Sequence, residues 1–303
     1  MAPSHYVNES VDCLAEVDLS KLANKTVVIT GGSSGLGLAY VNALTSAGAF
    51  VVNGDIQPPQ TVSHPDRTAF VKCDVTLWEQ QVDVFKVARE KAPNGRIDVV
   101  IANAGIYGPD VLDGLDDDTP QKPVTKLLDV NLVGVLYTAK LAGWHFHHAK
   151  NEGGDRCLLL ISSIMGYIDT QGSSVYSAAK HGVRGIMTCL RRKGLVRVNC
   201  LAPWFIATPI MPKSFIESTG AQFRAKGVDF ATADDAVVAM ACLATDTSIN
   251  GRTLGIVPRQ LSPSGYMDLE SDDFEDGEPL GKLQSVASSL IYGEFGASNG
   301  KGA

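Results

Sequence analysis

Thr30-Gly31-Gly32-Ser33-Ser34-Gly35-Leu36-Gly37 closes a short β-branched run at 26–30 and leads into a helical pattern that begins at Gly35. Glycines at such a junction let the backbone turn tightly and come close to a pyrophosphate, while the free N–H groups and dipole of the helix start favour an anion. Because glycine also serves ordinary turns, the meaning of this one depends on the rest of the chain.

Downstream of the turn, strand and helix patterns alternate. Seven short apolar runs, at 26–30, 50–53, 68–72, 98–102, 158–162, 196–201 and 253–257, read as buried strands, and none contains a proline. Between them 35–47, 78–91, 124–148, 174–192 and 233–245 read as helices, with Trp78, Val82 and Phe85 marking one apolar face. The pattern predicts an α/β fold, a doubly wound parallel sheet of about seven strands, Rossmann-like, in a single domain at 21–260. An extension at 1–20 precedes it. Beyond 260, Asp268, Glu270, Asp272, Asp273, Glu275, Asp276 and Glu278 crowd together before a Ser- and Gly-rich end, so 261–303 reads as a solvated acidic tail.

Composition narrows the function. The 303 residues are 45% hydrophobic and 19% charged, enough apolar material for a real core. A net charge of −7 provides no global basic field for nucleic acid or an anionic bilayer. No segment reaches the ~20 apolar residues of a membrane span, and the first residues, with Asp12, Glu16 and Asp18, lack the features of a secretory signal. The six cysteines are scattered without a CxxC pair, which suits reduced, buried thiols. The expectation is a cytoplasmic protein with a small-molecule partner, no nucleic-acid partner and no membrane partner.

Several residues beyond the glycine turn point to a dinucleotide. Asp55, eighteen residues past Gly37, ends the second strand, where a carboxylate can accept hydrogen bonds from ribose hydroxyls; it is also a plausible turn residue before Pro58-Pro59. Facing the ribose, it would repel a 2′-phosphate, and Ser33, Ser34, Ile56 and Gln57 offer no cation to compensate. NAD is therefore favoured over NADP. Asp74-Val75 can present a carboxylate to the adenine or cap the helix near Trp78. Asn103-Ala104-Gly105 lets the backbone lie against a cofactor at the switch point of the sheet.

Tyr176 and Lys180 lie four apart on a predicted helix and so share a face. A tyrosine acting as base near neutrality needs its pKa lowered by roughly three units, about 4 kcal/mol, which an ammonium about 4 Å away at intermediate dielectric supplies. Taken alone, such a pair is more often a solvated helix face. Three histidines, His145, His147 and His148, cluster without an evident third ligand, and no metal is expected.

Taken in order, Thr30 to Gly37, Asn103-Ala104-Gly105, Asn131-Leu132-Val133-Gly134, Ser163 thirteen residues before Tyr176, and Tyr176 with Lys180 resemble the successive motifs of the single-domain short-chain dehydrogenase/reductase family. The match covers about 21–257, and Tyr176 to Lys180-His181-Gly182 is similar to NAD-dependent 15-hydroxyprostaglandin-dehydrogenase-like and fungal secondary-metabolite members. The resemblance implies that Tyr176 is the general acid/base, that Lys180 lowers its pKa and binds the nicotinamide ribose, that Ser163 hydrogen-bonds the substrate oxygen and that Asn131 holds a relay water. Ser162 is the rival of Ser163, but neighbours on a strand face opposite ways, and the spacing favours Ser163. The implied cofactor contacts are Gly31, Ser33, Ser34, Gly35, Leu36 and Gly37, then Asp55 and Ile56, Asp74 and Val75, Asn103, Ala104 and Gly105, and finally Tyr176, Lys180, Pro203, Ile206 and Thr208.

Two features depart from the family. Pro203-Trp204 stands where it usually has Pro-Gly, and 180–199 is a few residues short. The segment 207–230, with Met211, Phe215, Ile216 and Phe223, is placed as an apolar substrate loop, implying a largely hydrophobic secondary alcohol or ketone. The helices at 124–148 and 174–192 match those through which relatives dimerise, implying a homodimer or homotetramer. Two other readings use the same fold: a non-catalytic nucleotide-binding sensor or scaffold, and a non-redox activity such as dehydration.

Overall fold

Val27 and Ile29 pack on one side of a sheet and Val28 on the other, and all three are fully buried. Burial on both faces is what a continuous β-branched run supports and an alternating one does not. The computed structural model describes residues 6, 8–93, 95–113, 118–149, 153–194, 196–211, 213–275 and 277–289. Its strands are β1 (Thr26–Thr30), β2 (Phe50–Asp55), β3 (Thr68–Lys72), β4 (Val99–Ala102), β5 (Cys157–Ile161), β6 (Arg197–Pro203), β7 (Thr253–Ile256) and β8 (Tyr266–Asp268). They form one sheet in the order β3-β2-β1-β4-β5-β6-β7-β8. Every pairing is parallel except that of β8 with β7.

The helices are α1 (Gly35–Ser46), α2 (Trp78–Lys91), α3 (Lys126–Leu128), α4 (Gly134–His148), α5 (Ser174–Leu190), α6 (Lys213–Ala225), α7 (Ala233–Thr245) and α8 (Pro279–Ser289). One core carries Tyr40, Val41 and Leu44 of α1 with Met240 and Leu243 of α7. The opposite core carries Phe85 of α2, Phe146 of α4 and Met187 of α5. The strand order reverses between β1 and β4, which opens a crevice at their carboxyl ends, where open α/β sheets hold ligands.

Four elements differ from expectation, two of them being α6, a helix within the predicted loop 207–230, and α8, a helix within the predicted tail. The helix predicted over 124–148 is interrupted by a π-turn at Asp129–Val133, between α3 and α4. The sheet also has an eighth strand, drawn from the stretch expected to be tail. Tyr266 of β8 is 2% exposed, and Asp268 pairs with Arg252 at 2.8 Å, both side chains almost fully enclosed. The extension at 1–20 is tied to the same place: the Val11 N–H donates to Asp268 Oδ2 at 3.0 Å, and Arg252 Nη1 donates to Asn8 Oδ1 at 2.5 Å. The chain divides into two compact units, Met1–Leu269 and Glu270–Ala303, and the second holds α8. Residues 261–269 therefore belong to the sheet unit. Among the described residues no helix is long and apolar enough to cross a membrane.

Candidate active site

The glycine turn is held by packing that admits no other residue at two positions. Gly31 takes φ +69°, and a β-carbon there would stand 2.7 Å from the Ala104 main chain; one on Gly37 would stand 2.0 Å from the Gly31 carbonyl oxygen. Helix α1 thus starts directly against the turn, with Ser34 as its N-cap residue and Leu36 turned toward the core. The carboxyl end of β2 fixes the turn from the other side. Asn53 accepts the Gly32 N–H at 2.9 Å and donates to Ser33 Oγ at 2.9 Å, while Asp55 Oδ2 accepts the Ser33 N–H at 2.9 Å. Ile56 comes next, largely exposed. Asn53 was not anticipated as part of the site, although the period of two that aligns it with Asp55 on β2 signals it.

Asn103, Ala104 and Gly105 lie after β4 and close the turn from below. The Asn103 amide donates to the carbonyls of Thr30 and Gly31 at 3.0 and 2.9 Å, and the Asn103 and Ala104 N–H groups both donate to Thr30 Oγ1. Asp74 forms a turn with Thr76, whose N–H and hydroxyl it accepts, so the N-cap of α2 is Leu77 rather than Asp74. Val75 is buried against Gly134.

The remaining predicted residues converge beside Gly105. Asn131, fully buried on the π-turn, grips Ile106 by its N–H and its carbonyl, both at 2.8 Å. Each amide atom retains one further hydrogen-bonding position. Ser162 turns away and donates to the Lys180 carbonyl at 2.9 Å. Ser163 instead donates to the Pro203 carbonyl at 3.3 Å and accepts the Met165 N–H at 3.2 Å, with its hydroxyl close enough to Tyr176 to pull the phenol down. The buried Lys180 Nζ donates to the Ile161 carbonyl at 2.9 Å and lies 5.5 Å from the centre of the Tyr176 ring.

The electrostatics run against the expected sign. Burial pushes the Tyr176 phenol up to about 12, with the Ser163 hydrogen bond pulling it down and Tyr107 pushing it up. Burial lowers Lys180 to about 8. Burial is the largest cause at both groups, and the Lys180 ammonium is held by the Ile161 carbonyl.

Against this geometry, the chain matches the family model described as short chain dehydrogenase over residues 25–218. The protein belongs to the short-chain dehydrogenase/reductase family. It is 38% identical over 296 residues to a 5′-hydroxyaverantin dehydrogenase of Dothistroma septosporum, covering 89% of this chain and 94% of that one. It is 30% identical over 317 residues to an NADP-dependent dehydrogenase of a Phoma species, covering 94% and 90%. Among solved structures, the ligand-free aldohexose dehydrogenase of Thermoplasma acidophilum superposes with a TM-score of 0.67 at 25% identity, covering 78% of this chain and 94% of that one.

At Trp204, where the chain departs from the family pattern, the structure supplies a local reason. Trp204 keeps its N–H paired to the Ile256 carbonyl at 2.8 Å, and its indole N–H donates to the Asp229 carbonyl at 3.1 Å. Its ring packs on Phe205 and Phe223 at 5.0 and 5.2 Å between centroids. The indole thus binds the end of β6 to the segment that carries α6. Ile206 bridges to Ala231, and Thr208 lies over Gly35, its Cβ 3.5 Å from where a β-carbon would be. His145 stacks on Phe85 at 5.1 Å, and burial lowers it to about 4. His148 Nδ1 lies 2.8 Å from the Trp144 carbonyl. Among the described residues no group of three His, Cys, Asp or Glu could hold a metal.

Proposed function

We propose that the protein transfers a hydride between NAD(H) and a largely hydrophobic secondary alcohol or ketone, with Tyr176 as general acid/base. The observation that carries this is the meeting of Tyr176, Ser163 and Lys180 at the carboxyl ends of β4 and β5, beside a glycine turn that leaves no room for side chains. That turn, with Asp55 beyond it, fits a dinucleotide: its glycines clear the backbone for a pyrophosphate and the start of α1 offers free N–H groups. When bound, the nicotinamide supplies the hydride chemistry.

The rest falls to this chain. In reduction the protonated Tyr176 donates its phenolic proton to the substrate oxygen, and in oxidation the phenolate removes the hydroxyl proton. Ser163 hydrogen-bonds the same oxygen as its charge changes. Asp55 and Ile56 would hold the adenosine ribose, Asp74 and Val75 the adenine, and Asn103, Ala104 and Gly105 the backbone approach. Pro203, Ile206 and Thr208 would flank the nicotinamide, and Asn131 would use its remaining hydrogen-bonding capacity for a relay water.

Support for an apolar substrate comes from three loops. Tyr107 and Leu112 after β4, Ile168 after β5 and Ile210 after β6 are all exposed, and these strands are adjacent in the sheet. The relative named as a 5′-hydroxyaverantin dehydrogenase supports an alcohol substrate. The exposed Leu136 and Trp144 of α4 are compatible with a homodimer or homotetramer. Following nicotinamide absorbance with hydroxylated polyketides, steroids and fatty-acid derivatives tests the reading, and no turnover with either nicotinamide cofactor across that panel overturns it.

NADP is the second reading, and a specific residue favours it. Lys72 of β3 is in register with Asp55 of β2, a cation that the local sequence around Asp55 does not reveal.

A further inference from the structure

The segment after β4 sets a second phenol against the first. Tyr107 meets the Tyr176 ring edge to face, with centroids 5.3 Å apart and planes at 73°. Its hydroxyl lies 3.0 Å from Ser173 Oγ, three residues before Tyr176 on the chain. The backbone on both sides of it is clamped. Asn131 holds Ile106 by both its N–H and its carbonyl, and Asp110 Oδ2 accepts the N–H of Ser174, the first residue of α5, at 2.7 Å. Tyr107 is therefore held at its hydroxyl and along its backbone, yet it remains 41% exposed.

The other aromatic rings near the end of β6 are occupied with one another. Trp204, Phe205 and Phe223 pack mutually, with Phe223 also on Phe230. Tyr107 has one aromatic neighbour, Tyr176, among the described residues. We infer that Tyr107 is the substrate-facing wall beside Tyr176 and selects a flat aromatic or conjugated ring next to the reacting carbon. This rests on the reading of Tyr176 as the group that exchanges a proton with substrate. A fixed aromatic wall adds offset stacking to simple burial and loses little rotamer freedom on binding, because Ser173 already orients the phenol. An aliphatic ring of similar polarity gains less from it.

The test compares 1-tetralone with cyclohexanone on the full chain, reading dissociation constants by calorimetry with the chain saturated with oxidised NAD or NADP, whichever it binds, where the ketone cannot be reduced, and KM by absorbance with the reduced cofactor. The wild type should bind 1-tetralone at least about tenfold more tightly. Tyr107→Leu should reduce that ratio roughly tenfold, chiefly through the dissociation constant and KM for 1-tetralone rather than kcat. Tyr107→Phe, which keeps the ring and loses the tie to Ser173, should restore most of the ratio, and its melting temperature reports on folding. The inference is overturned by a wild type without the preference, by a ratio indifferent to Tyr107→Leu, or by equal loss in Tyr107→Phe. Tyr176→Phe is measured alongside. Persistent turnover there removes the acid/base reading and leaves the binding ratios to judge Tyr107 separately.

Discussion

Asp55 Oδ2 accepts the main-chain N–H of Ser33 at 2.9 Å, so the carboxylate that ends β2 is built into the turn between β1 and α1. The same side chain proposed to select the cofactor also shapes the loop that would receive its phosphates. Asp55→Ala should therefore weaken NAD more than the loss of ribose contacts alone, and should relieve repulsion of NADP. We expect the kcat/KM preference for NAD to fall by about ten- to a hundredfold, in line with charge-assisted hydrogen bonds of ~1.5–3 kcal/mol. Lys72→Met separates the two readings: at fixed ionic strength it should leave NAD kinetics alone, whereas a selective loss with NADP means that Lys72 serves a 2′-phosphate.

Tyr176→Phe keeps the ring against Tyr107 and removes the phenolic oxygen proposed to carry the proton. Turnover should drop by at least roughly a hundredfold with nucleotide affinity little changed. With the phenol pushed up to about 12, the neutral acid dominates near pH 7. Ketone reduction should stay flat through neutrality, while alcohol oxidation should rise as pH rises and more phenolate forms. Oxidation that is flat from pH 6 to 10 would remove Tyr176 as the base.

Lys180 should destabilise the fold at neutral pH. Its pKa falls from 10.5 to about 8 on burial, so between those values the unfolded chain binds more protons than the folded one, and stability rises with pH across that window. Below pH 8 the penalty is fully present, about 3 kcal/mol at 1.36 kcal/mol per unit. Lys180→Met should melt higher than the wild type at pH 7, and the difference should shrink by pH 9.5. Catalysis should be lost at both. Equal melting differences at the two pH values would show that Lys180 is not held against a burial penalty.

Asp268→Asn tests whether the stretch after 260 belongs to the sheet. The substitution leaves the enclosed Arg252 guanidinium without its counter-charge, and breaking such a pair costs about 3–5 kcal/mol. It also weakens the acceptor for Val11. A large fall in melting temperature is expected, and ending the chain after Ser264 should do at least as much by deleting β8. Unchanged melting in both proteins would return 261–269 to the status of a tail.

Much of this protein is determined by the sequence alone, because the signals are local. A buried parallel strand shows as a β-branched run, and the spacing from Thr30 to Gly37 places glycine where φ must be positive or where helix and turn must touch. A separation of four positions from Tyr176 to Lys180 places both on one helix face. These features decide the doubly wound sheet and the family.

What the tertiary structure decided depends on partners far apart in the chain. Asn103 is a tether for the Thr30 and Gly31 carbonyls, and Asp110 caps a helix that begins sixty-four residues later. Lys72 comes beside Asp55 only through the register of β2 with β3. The sign of the Tyr176 shift is of the same kind. Sequence spacing brings an ammonium near a phenol, but the burial that shifts each of them is set by the tertiary packing around it. β8 shows the limit most plainly: three residues carry no readable period, and Tyr266–Asp268 is a strand because β7 offers it an edge and Arg252 a charge.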